Sequence, residues 1–473
     1  MSRAFSRTRE FGGIVAIFTI SLIVCPWTAL ADTKVTVETG KKLWTISRYL
    51  VGMHMVYTFN PGKAYTDGKI AAWARQAGIS TARFPGGSTV KRWDWEHPTG
   101  VMTGDPWDPA WDKSMNADPQ SWMSLDEYLA FVKRSGITPL FGVNSLSGYR
   151  FKRSDESVAR AVRMVRYVKE RGCGGAFWYI GNEEANEYEG GIEGYAVVFK
   201  KHATAMKQAD PQIKIFWNLN DATPEKIKLF LKHDGGTSDG LETHGKWPYG
   251  GNPGRYEPGT VDGWLEEIPL RDKKNNNRAW RLAADEYRGA AAAMGRKNYL
   301  VANNEYGIGK SKNIRGFNRY TYGLLMTDML QEHLLGNWFM TCFWDNIRGD
   351  EDGLMSSANG GRLNPLHFGM ELLGAAQGGD MLETKTDNKQ VYGFAAKTKE
   401  EILLFLINKT RSPSTLHVGF SSGHVAGANG KVMQDTKDHW GEVVDFPISK
   451  GTTLTATMPP LSFCRIRVAM KRP

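Results

Sequence analysis

Cysteine is scarce in this chain, with four residues, at positions 25, 173, 342 and 464. Thiols so few and so widely spaced form neither a disulfide framework nor a zinc-binding pattern. Cys173 and Cys342 border or lie within apolar runs, which predicts buried free thiols, although an oxidising compartment leaves one bridge open. Long apolar runs are missing too: none reaches the roughly 20 residues that a membrane-spanning helix needs. No basic cluster interleaved with aromatics points to nucleic acid. No glycine-rich dinucleotide turn follows the first strand-like run. Gly309-Lys310-Ser311 imitates the end of a phosphate loop, but the upstream glycine that such a loop requires is Asn304. Asp350-Glu351-Asp352-Gly353 lacks the calcium spacing of an EF-hand and reads better as a substrate loop. Glu332-His333 has no second histidine to make a zinc protease and is expected on the surface. Neither a cofactor nor a metal is therefore expected.

What the chain does have is tryptophan, glycine and positive charge. Sixteen Trp and 52 Gly stand out in an otherwise ordinary globular composition. Tryptophan in excess either fills a core or lines a surface that stacks on flat ligands. Trp107, Trp111 and Trp122 fall in one long loop, the kind of segment that is usually functional, and are candidates for such a wall. The net charge of +10 favours neutral or acidic partners, and most of it reads as a solvated surface. An anionic polymer would first be sought at Arg150, Lys152 and Arg153. At the N-terminus, Arg3, Arg7 and Arg9 precede an apolar stretch over 12–25 and a small-residue Ala29-Leu30-Ala31 site. That pattern predicts an export signal over 1–31, cleaved after Ala31, and a secreted or periplasmic protein. Removing its three arginines and one glutamate leaves +8 from the +10.

Short apolar runs recur at 49–55, 81–85, 139–144, 176–181, 213–219, 240–244, 299–304 and 339–344. Between them, 69–77, 125–135, 157–171, 195–208, 279–294 and 319–335 carry apolar residues at helical intervals. Strands alternating with helices predict a parallel sheet, and eight such units predict a closed barrel rather than an open doubly wound sheet. The pattern changes near residue 378, after which 391–396, 401–408, 415–420, 430–433, 452–457 and 462–468 are strand-like without helical periods. The expected fold is α/β: a (β/α)₈ TIM barrel over 48–377 and a β-sandwich over 378–473. An N-terminal strand, 33–39 within a segment over 32–47, is expected to join the sandwich.

In such barrels the reactive side chains stand at the C-terminal ends of the strands. Those ends read Arg83-Phe84-Pro85-Gly86-Gly87-Ser88, Asn144, Gly181-Asn182-Glu183, His244, Asn304-Glu305-Tyr306-Gly307 and Trp344-Asp345-Asn346. Polar clusters biased to one end of an apolar barrel point to a site and not to stability. Glu183 and Glu305 close strands four and seven, which face each other across the mouth. Two facing carboxyl groups suit glycoside hydrolysis, one protonating the leaving oxygen while the other attacks as nucleophile. Asn182, beside Glu183, offers a donor for a sugar hydroxyl whose bond strengthens in the transition state. Glu184, next door, is taken for an ordinary salt-bridged surface residue. Gly86 and Gly87 suit a tight turn with positive φ, and His54 is either a sugar contact or a core histidine.

Trp178-Tyr179-Ile180-Gly181-Asn182-Glu183 resembles the acid/base motif of glycoside hydrolase clan A, and Asn304-Glu305-Tyr306-Gly307 its nucleophile segment. Arg83-Phe84-Pro85-Gly86-Gly87, with Trp93-Asp94-Trp95, is similar to a motif of family 51, the α-L-arabinofuranosidases. Asp239-Gly240-Leu241-Glu242-Thr243-His244 resembles that family's strand-six histidine segment, and 401–408 a strand of its sandwich. The resemblance implies Glu183 as acid/base, Glu305 as nucleophile and Arg83 as support for the nucleophile. It implies sugar contacts from Asn182 and His244 and a platform from Trp344, with Asn144, His54 and Ser88 as further candidates. Ser88 stands where the family has Asn, and Gly52-Met53-His54 offers no counterpart of the family's substrate-binding Glu after strand one. The implied activity is a retaining, metal-free, arabinofuranosidase-like hydrolysis of plant or algal polysaccharide or oligosaccharide. The alternatives are another clan A specificity (uronidase, xylosidase or endo-acting), a non-catalytic glycan-binding protein on the same scaffold, or a phosphate-using barrel enzyme, which lacks its phosphate site here.

Overall fold

The computed structural model describes residues 31–56, 65–96, 123–244, 261–266, 280–307, 316–344, 347–348, 353–356 and 362–471. The export signal up to residue 30, Trp107, Trp111, Trp122, Gly309-Lys310-Ser311, Asp345-Asn346 and Asp350-Glu351-Asp352 lie outside the described residues. After strand β1 (Ala31–Thr45), eight strands close a barrel: β2 (Val51–His54), β3 (Thr81–Phe84), β4 (Thr138–Val143), β5 (Phe177–Ile180), β6 (Lys214–Asn220), β7 (Gly240–His244), β8 (Leu300–Tyr306) and β9 (Met340–Phe343). Each pairs in parallel with the next, and β2 pairs with β9 to complete the ring. All eight expected strands are present.

Side chains alternate across these strands, because successive Cβ atoms point to opposite faces. Phe177 and Tyr179 of β5 join Leu140, Phe216, Ala302 and Met340 inside the barrel. Trp178 and Ile180, one residue out of phase, enter the larger core beneath the helices. Burial on both faces explains why these strands read as continuous apolar runs.

The surrounding helices start where the sequence supplies caps. Ser124 and Glu127 form a reciprocal capping box at Leu125–Ser135, and Thr223 caps Pro224–His233, with proline in the first turn. The helix Arg319–Leu335 is capped by Asn318 and is buried all round from Tyr320 to Leu334. Glu332 and His333 are therefore not surface residues: Glu332 pairs with Arg281, and His333 bonds the Met329 carbonyl and Asn303. The expectation failed because this helix is wrapped by the barrel on one side and the second domain on the other. Tyr320 Oη donates to the Leu461 carbonyl at 2.7 Å, and Tyr392 Oη donates to Asp328 at 2.7 Å, both across that junction.

The C-terminal strands are β13 (Asp380–Thr386), β14 (Val391–Lys397), β15 (Ile402–Asn408), β16 (Ser414–Phe420), β17 (Val425–Gln434), β18 (Glu442–Asp445), β19 (Ser449–Lys450), β20 (Leu454–Met458) and β21 (Ser462–Met470). The intervening β10 (Ile347–Arg348), β11 (Met355–Ser356) and β12 (Arg362–Leu363) form a small separate sheet. Strand β1 sits between β13, antiparallel, and β16, parallel, within one ten-stranded sheet. Val35, Leu404, Leu416 and Ile466 share one core, so the two halves of that sheet face each other as a sandwich. Strand β13 escaped the sequence pattern because only Met381 and Leu382 in it are buried.

Cys342 and Cys464 are buried free thiols, and Cys173 is a half-buried one. Among the described residues no helix is long and apolar enough to cross a membrane. Trp178, Trp217, Trp264 and Trp338 are core residues, which accounts for part of the tryptophan excess.

Gly52, in β2, has no room for a side chain: a Cβ there would lie 2.2 Å from the Thr341 carbonyl oxygen and 2.5 Å from Thr81 Oγ1. Because backbone cannot yield as a side-chain tip can, Gly52→Ala is expected to cost at least about 1–3 kcal/mol, read from urea unfolding midpoints.

Candidate active site

The second, fourth, sixth and seventh barrel strands deliver one polar cluster to the mouth. At its centre is Arg83, the penultimate residue of β3, fully buried. Its Nε lies 2.5 Å from Glu242 Oε1, its Nη1 3.0 Å from Glu305 Oε1, and its Nη2 donates to Asn182 Oδ1 at 2.8 Å. The guanidinium also lies over the Tyr179 ring, 4.1 Å from its centroid. Burial opposes the Arg83 charge, but Glu242, Tyr179 and Glu305 outweigh it and hold the pKa above its usual value. Arginine suits this place because its planar fork serves several oxygens at fixed angles.

Glu305 is presented by a bulge. Between β8 and β9 the register moves from Asn303 opposite Thr341 to Tyr306 opposite Phe343, one residue more on β8 than on β9. Such an insertion re-aims the side chains within it, and here it turns Glu305 to the mouth, where its side chain keeps 8% of its exposure. Glu183 reaches the mouth by a different device. It follows Gly181 with φ 71° and itself holds φ 51°, a left-handed conformation uncommon outside glycine. The turn is fixed from below, since the Glu183 backbone N–H donates to Asn218 Oδ1 at 2.5 Å. Its side chain keeps 27% of its exposure.

His244, ending β7, stands between the two carboxylates, with Nδ1 2.6 Å from Glu183 Oε1 and 3.5 Å from Glu305 Oε2. One oxygen of each glutamate and a His244 nitrogen fall within 4.8 Å of one another. A cluster of this kind offers ligands to a cation, but protein cations already occupy that role: Arg83 and His244 lie within hydrogen-bond or ion-pair distance of the same carboxylates. Burial disfavours charge on the His244 ring, yet Glu305, Glu183 and Glu242 together push its pKa up to about 9.

The remaining candidates fall into two groups. His54 is buried and donates from Nδ1 to the Asn304 carbonyl at 3.0 Å, which leaves Nε2 facing Arg83 Nη1 at 3.3 Å. Trp344, half-buried, meets the His54 ring edge-on at 4.4 Å. The Gly86-Gly87 turn fits beneath them: a Cβ at Gly86 would lie 2.4 Å from His54 Nε2, and one at Gly87 2.9 Å from Trp344 Cη2. Close approach as well as positive φ therefore dictates both glycines. Asn182, His54 and Trp344 thus join the central cluster. Asn144 instead bonds Ser147 and the Trp93 carbonyl in the turn after β4, and Ser88 is exposed at the start of a short 3₁₀ turn.

Glu184 is not the surface residue that the sequence suggested. It is fully buried, accepts from Ser145 Oγ at 2.6 Å and from Tyr188 Oη, and packs under Gly181, where a Cβ would lie 2.1 Å from its Oε1. Burial raises its pKa against those hydrogen bonds. Asn218 and Glu242 are the cluster members that sequence reasoning passed over. Each is a polar residue at a buried position within a barrel strand, and a polar residue next to Trp217 or Leu241 was a signal that the sequence offered. Of the basic trio, Arg150 pairs with Glu187, and Arg153 lies 3.7 Å from Glu156.

Comparison with known proteins bears on the fold and on the region that holds this cluster. A sequence model of the α-L-arabinofuranosidase 1 domain matches residues 74–245, the span that carries Arg83, Asn182, Glu183 and His244. An intracellular exo-α-(1→5)-L-arabinofuranosidase of Streptomyces lividans is 26% identical over 182 residues, which are 34% of this chain and 27% of that protein. The matched region thus spans only about a quarter of the relative's length. The family 51 arabinofuranosidase of Xanthomonas axonopodis pv. citri superimposes with a TM-score of 0.65 at 15% identity, covering 92% of this chain and 99% of that one. A family 51 α-L-arabinofuranosidase of Bifidobacterium longum gives 0.66 at 15% identity, over 93% and 99%. A family 44 xyloglucanase of Paenibacillus polymyxa gives 0.61 at 13% identity, over 93% and 100%, so this fold also serves another sugar chemistry. In the fold of its barrel and sandwich, and in the sequence of residues 74–245, the chain is glycoside hydrolase family 51-like.

His244 also links this site to stability. An unfolded histidine titrates near 6.5, and its raised pKa here means that the folded state binds the proton more tightly. Its stabilising contribution is therefore complete below about pH 6.5 and is lost as pH rises through about 9. The stability gap between wild type and His244→Gln should narrow across that window in chemical denaturation.

Proposed function

We propose that this chain is a retaining glycoside hydrolase with arabinofuranosidase-like activity on plant or algal polysaccharide or oligosaccharide. The observation that carries the proposal is the approach of Glu183 and Glu305 within 4.8 Å on facing strand ends. Retaining enzymes hold their carboxyl groups about 5–5.5 Å apart, whereas inverting ones leave about 6.5–9.5 Å for a water. Glu305, oriented by Arg83, attacks the anomeric carbon. Glu183, more exposed, gives its proton to the leaving oxygen. In the second half Glu183 takes a proton from water, whose oxygen displaces Glu305 and releases the sugar with its configuration kept. Asn182 has its oxygen committed to Arg83, so its NH₂ faces the task of holding a sugar hydroxyl. Trp344 and His54 form the apolar and polar sides of the floor beneath the ring. The retained carboxylate pair with its arginine disfavours a binding protein on the same scaffold.

One feature favours a second reading, a different clan A specificity: Gly52-Met53-His54, at the end of the first barrel strand, offers no counterpart of the substrate-binding glutamate of the family it resembles.

Proton NMR of the first product formed from aryl glycosides should show the substrate's anomeric configuration; an inverted product removes Glu305 from the nucleophile role. Glu183→Gln should lower kcat by about 10²–10⁴-fold on substrates with poor leaving groups, and Glu305→Ala should abolish turnover across an arabinofuranoside, xyloside and uronide panel.

We further propose export. The N-terminal pattern supports it, and cleavage after Ala31 would leave Val35 and Val37 of β1 in the sandwich core. Terminal sequencing of the protein recovered outside the cytoplasm should begin at Asp32; an intact Met1 on soluble cytoplasmic protein would overturn this.

A further inference from the structure

Glu242 has no part in the two-carboxylate scheme, yet it is a fully buried carboxylate at the base of the site. One of its oxygens, Oε1, lies 2.5 Å from Arg83 Nε and 3.4 Å from His244 Nε2. The other, Oε2, has no hydrogen-bond partner among the described residues. A buried carboxylate left half-satisfied is costly unless its charge is answered nearby. Here the answering groups are Arg83, which aims at Glu305, and His244, which aims at Glu183. We propose that Glu242 is a positioning residue that ties these two side chains together from below and so couples the settings of the nucleophile and the acid/base. This rests on the reading of Glu183 and Glu305 given above.

The geometry at His244 says how the coupling works. Its Nδ1 faces Glu183 at 2.6 Å, and Glu305 lies 3.5 Å away. Its Nε2 faces a donor, Asn218 Nδ2, at 3.0 Å and an acceptor, Glu242 Oε1, at 3.4 Å. The Asn218 amide is oriented by the Glu183 backbone N–H, which its oxygen accepts. A neutral ring accepts from Asn218, while a protonated ring donates to Glu242, so the histidine is satisfied in either state. Glu183, Glu305 and Glu242 favour the protonated state; Arg83, next to both Glu305 and Glu242, partly offsets them. Removing the Glu242 charge tips the ring towards its neutral form, in which it accepts from Asn218. Glu183 then loses a charged partner, and the pH at which the acid/base gives up its proton moves.

The test is ¹⁵N-histidine NMR titration of the whole protein together with pH profiles of kcat/KM for wild type, Glu242→Gln and Glu242→Asp. His244 should titrate near 9 in wild type and at least about one pH unit lower in Glu242→Gln. The alkaline limb of the Glu242→Gln profile should move up, because Glu183 without its cationic neighbour holds its proton to higher pH, with kcat reduced more than KM is changed, and Glu242→Asp should recover part of both shifts. An unchanged His244 titration in Glu242→Gln overturns the proposal, as does a moved titration with an unmoved alkaline limb. If Glu242→Gln does not fold, the wild-type titration still decides, because a midpoint at or below 6.5 overturns it. The titration needs no turnover, so a protein inactive on every glycoside refutes the hydrolase reading, while the histidine shift reports on Glu242 separately.

Discussion

A guanidinium without water holds this site together. Arg83 is fully buried, and its three nitrogens are shared among Glu242, Glu305 and Asn182 while its face lies over Tyr179. Taking such an ion out of water is expensive and is tolerated only when its partners are close and well placed. Here they come from three other barrel strands, β5, β7 and β8. The barrel must therefore close with its strand ends in register before the arginine is satisfied, and the satisfied arginine in turn keeps those ends in place. The scaffold and the site are bound to each other by this one residue.

The two glutamates are delivered by unlike means, and each suits a different degree of exposure. Glu305 lies in a bulge of a buried strand, against Arg83, where little water reaches it. Glu183 sits on a left-handed turn whose backbone is pinned by Asn218 and cushioned by the buried Glu184. In the proposed scheme a nucleophile that must stay ionised gains from a fixed cation, and a group that exchanges protons with substrate and water gains from openness. His244, between them, feels both.

The barrel was legible because its strands are short, apolar and separated by periodic helices, and because reactive residues gather at one end. The candidate residues were legible for the same reason: Glu183, Glu305, Arg83 and His244 all stand at or just past strand ends. Other features were hidden by physics that a linear pattern does not record. A bulge changes register without changing composition, so the aim of Glu305 could not be read. Glu184 and Glu332 look like surface residues because charge usually marks exposure; here Ser145, 39 positions away, joins the nearby Tyr188 on Glu184, and Arg281, 51 positions away, pairs with Glu332. The helix Arg319–Leu335 shows no polar face because it has none, being enclosed on both sides. Asn144 ends its strand as expected but turns to the adjoining loop, a choice made by the Ser147 hydroxyl and the Trp93 carbonyl.

Strand β1 has a further effect, on the order in which the molecule can assemble. It lies between β13 and β16, so Thr33 bonds Ser414 across 381 positions of sequence. Strand β1 must wait for β13 and β16, with the whole barrel made in between. Contacts between such distant residues slow folding, because the long loop must be closed before they repay its entropy. Until then the sandwich has an open seam along β13 and β16, an exposed pair of strand edges of the kind that invites aggregation. Strands from opposite sides of the barrel sequence are thereby made to finish folding together, and loss of β1 takes a strand from the middle of the sheet.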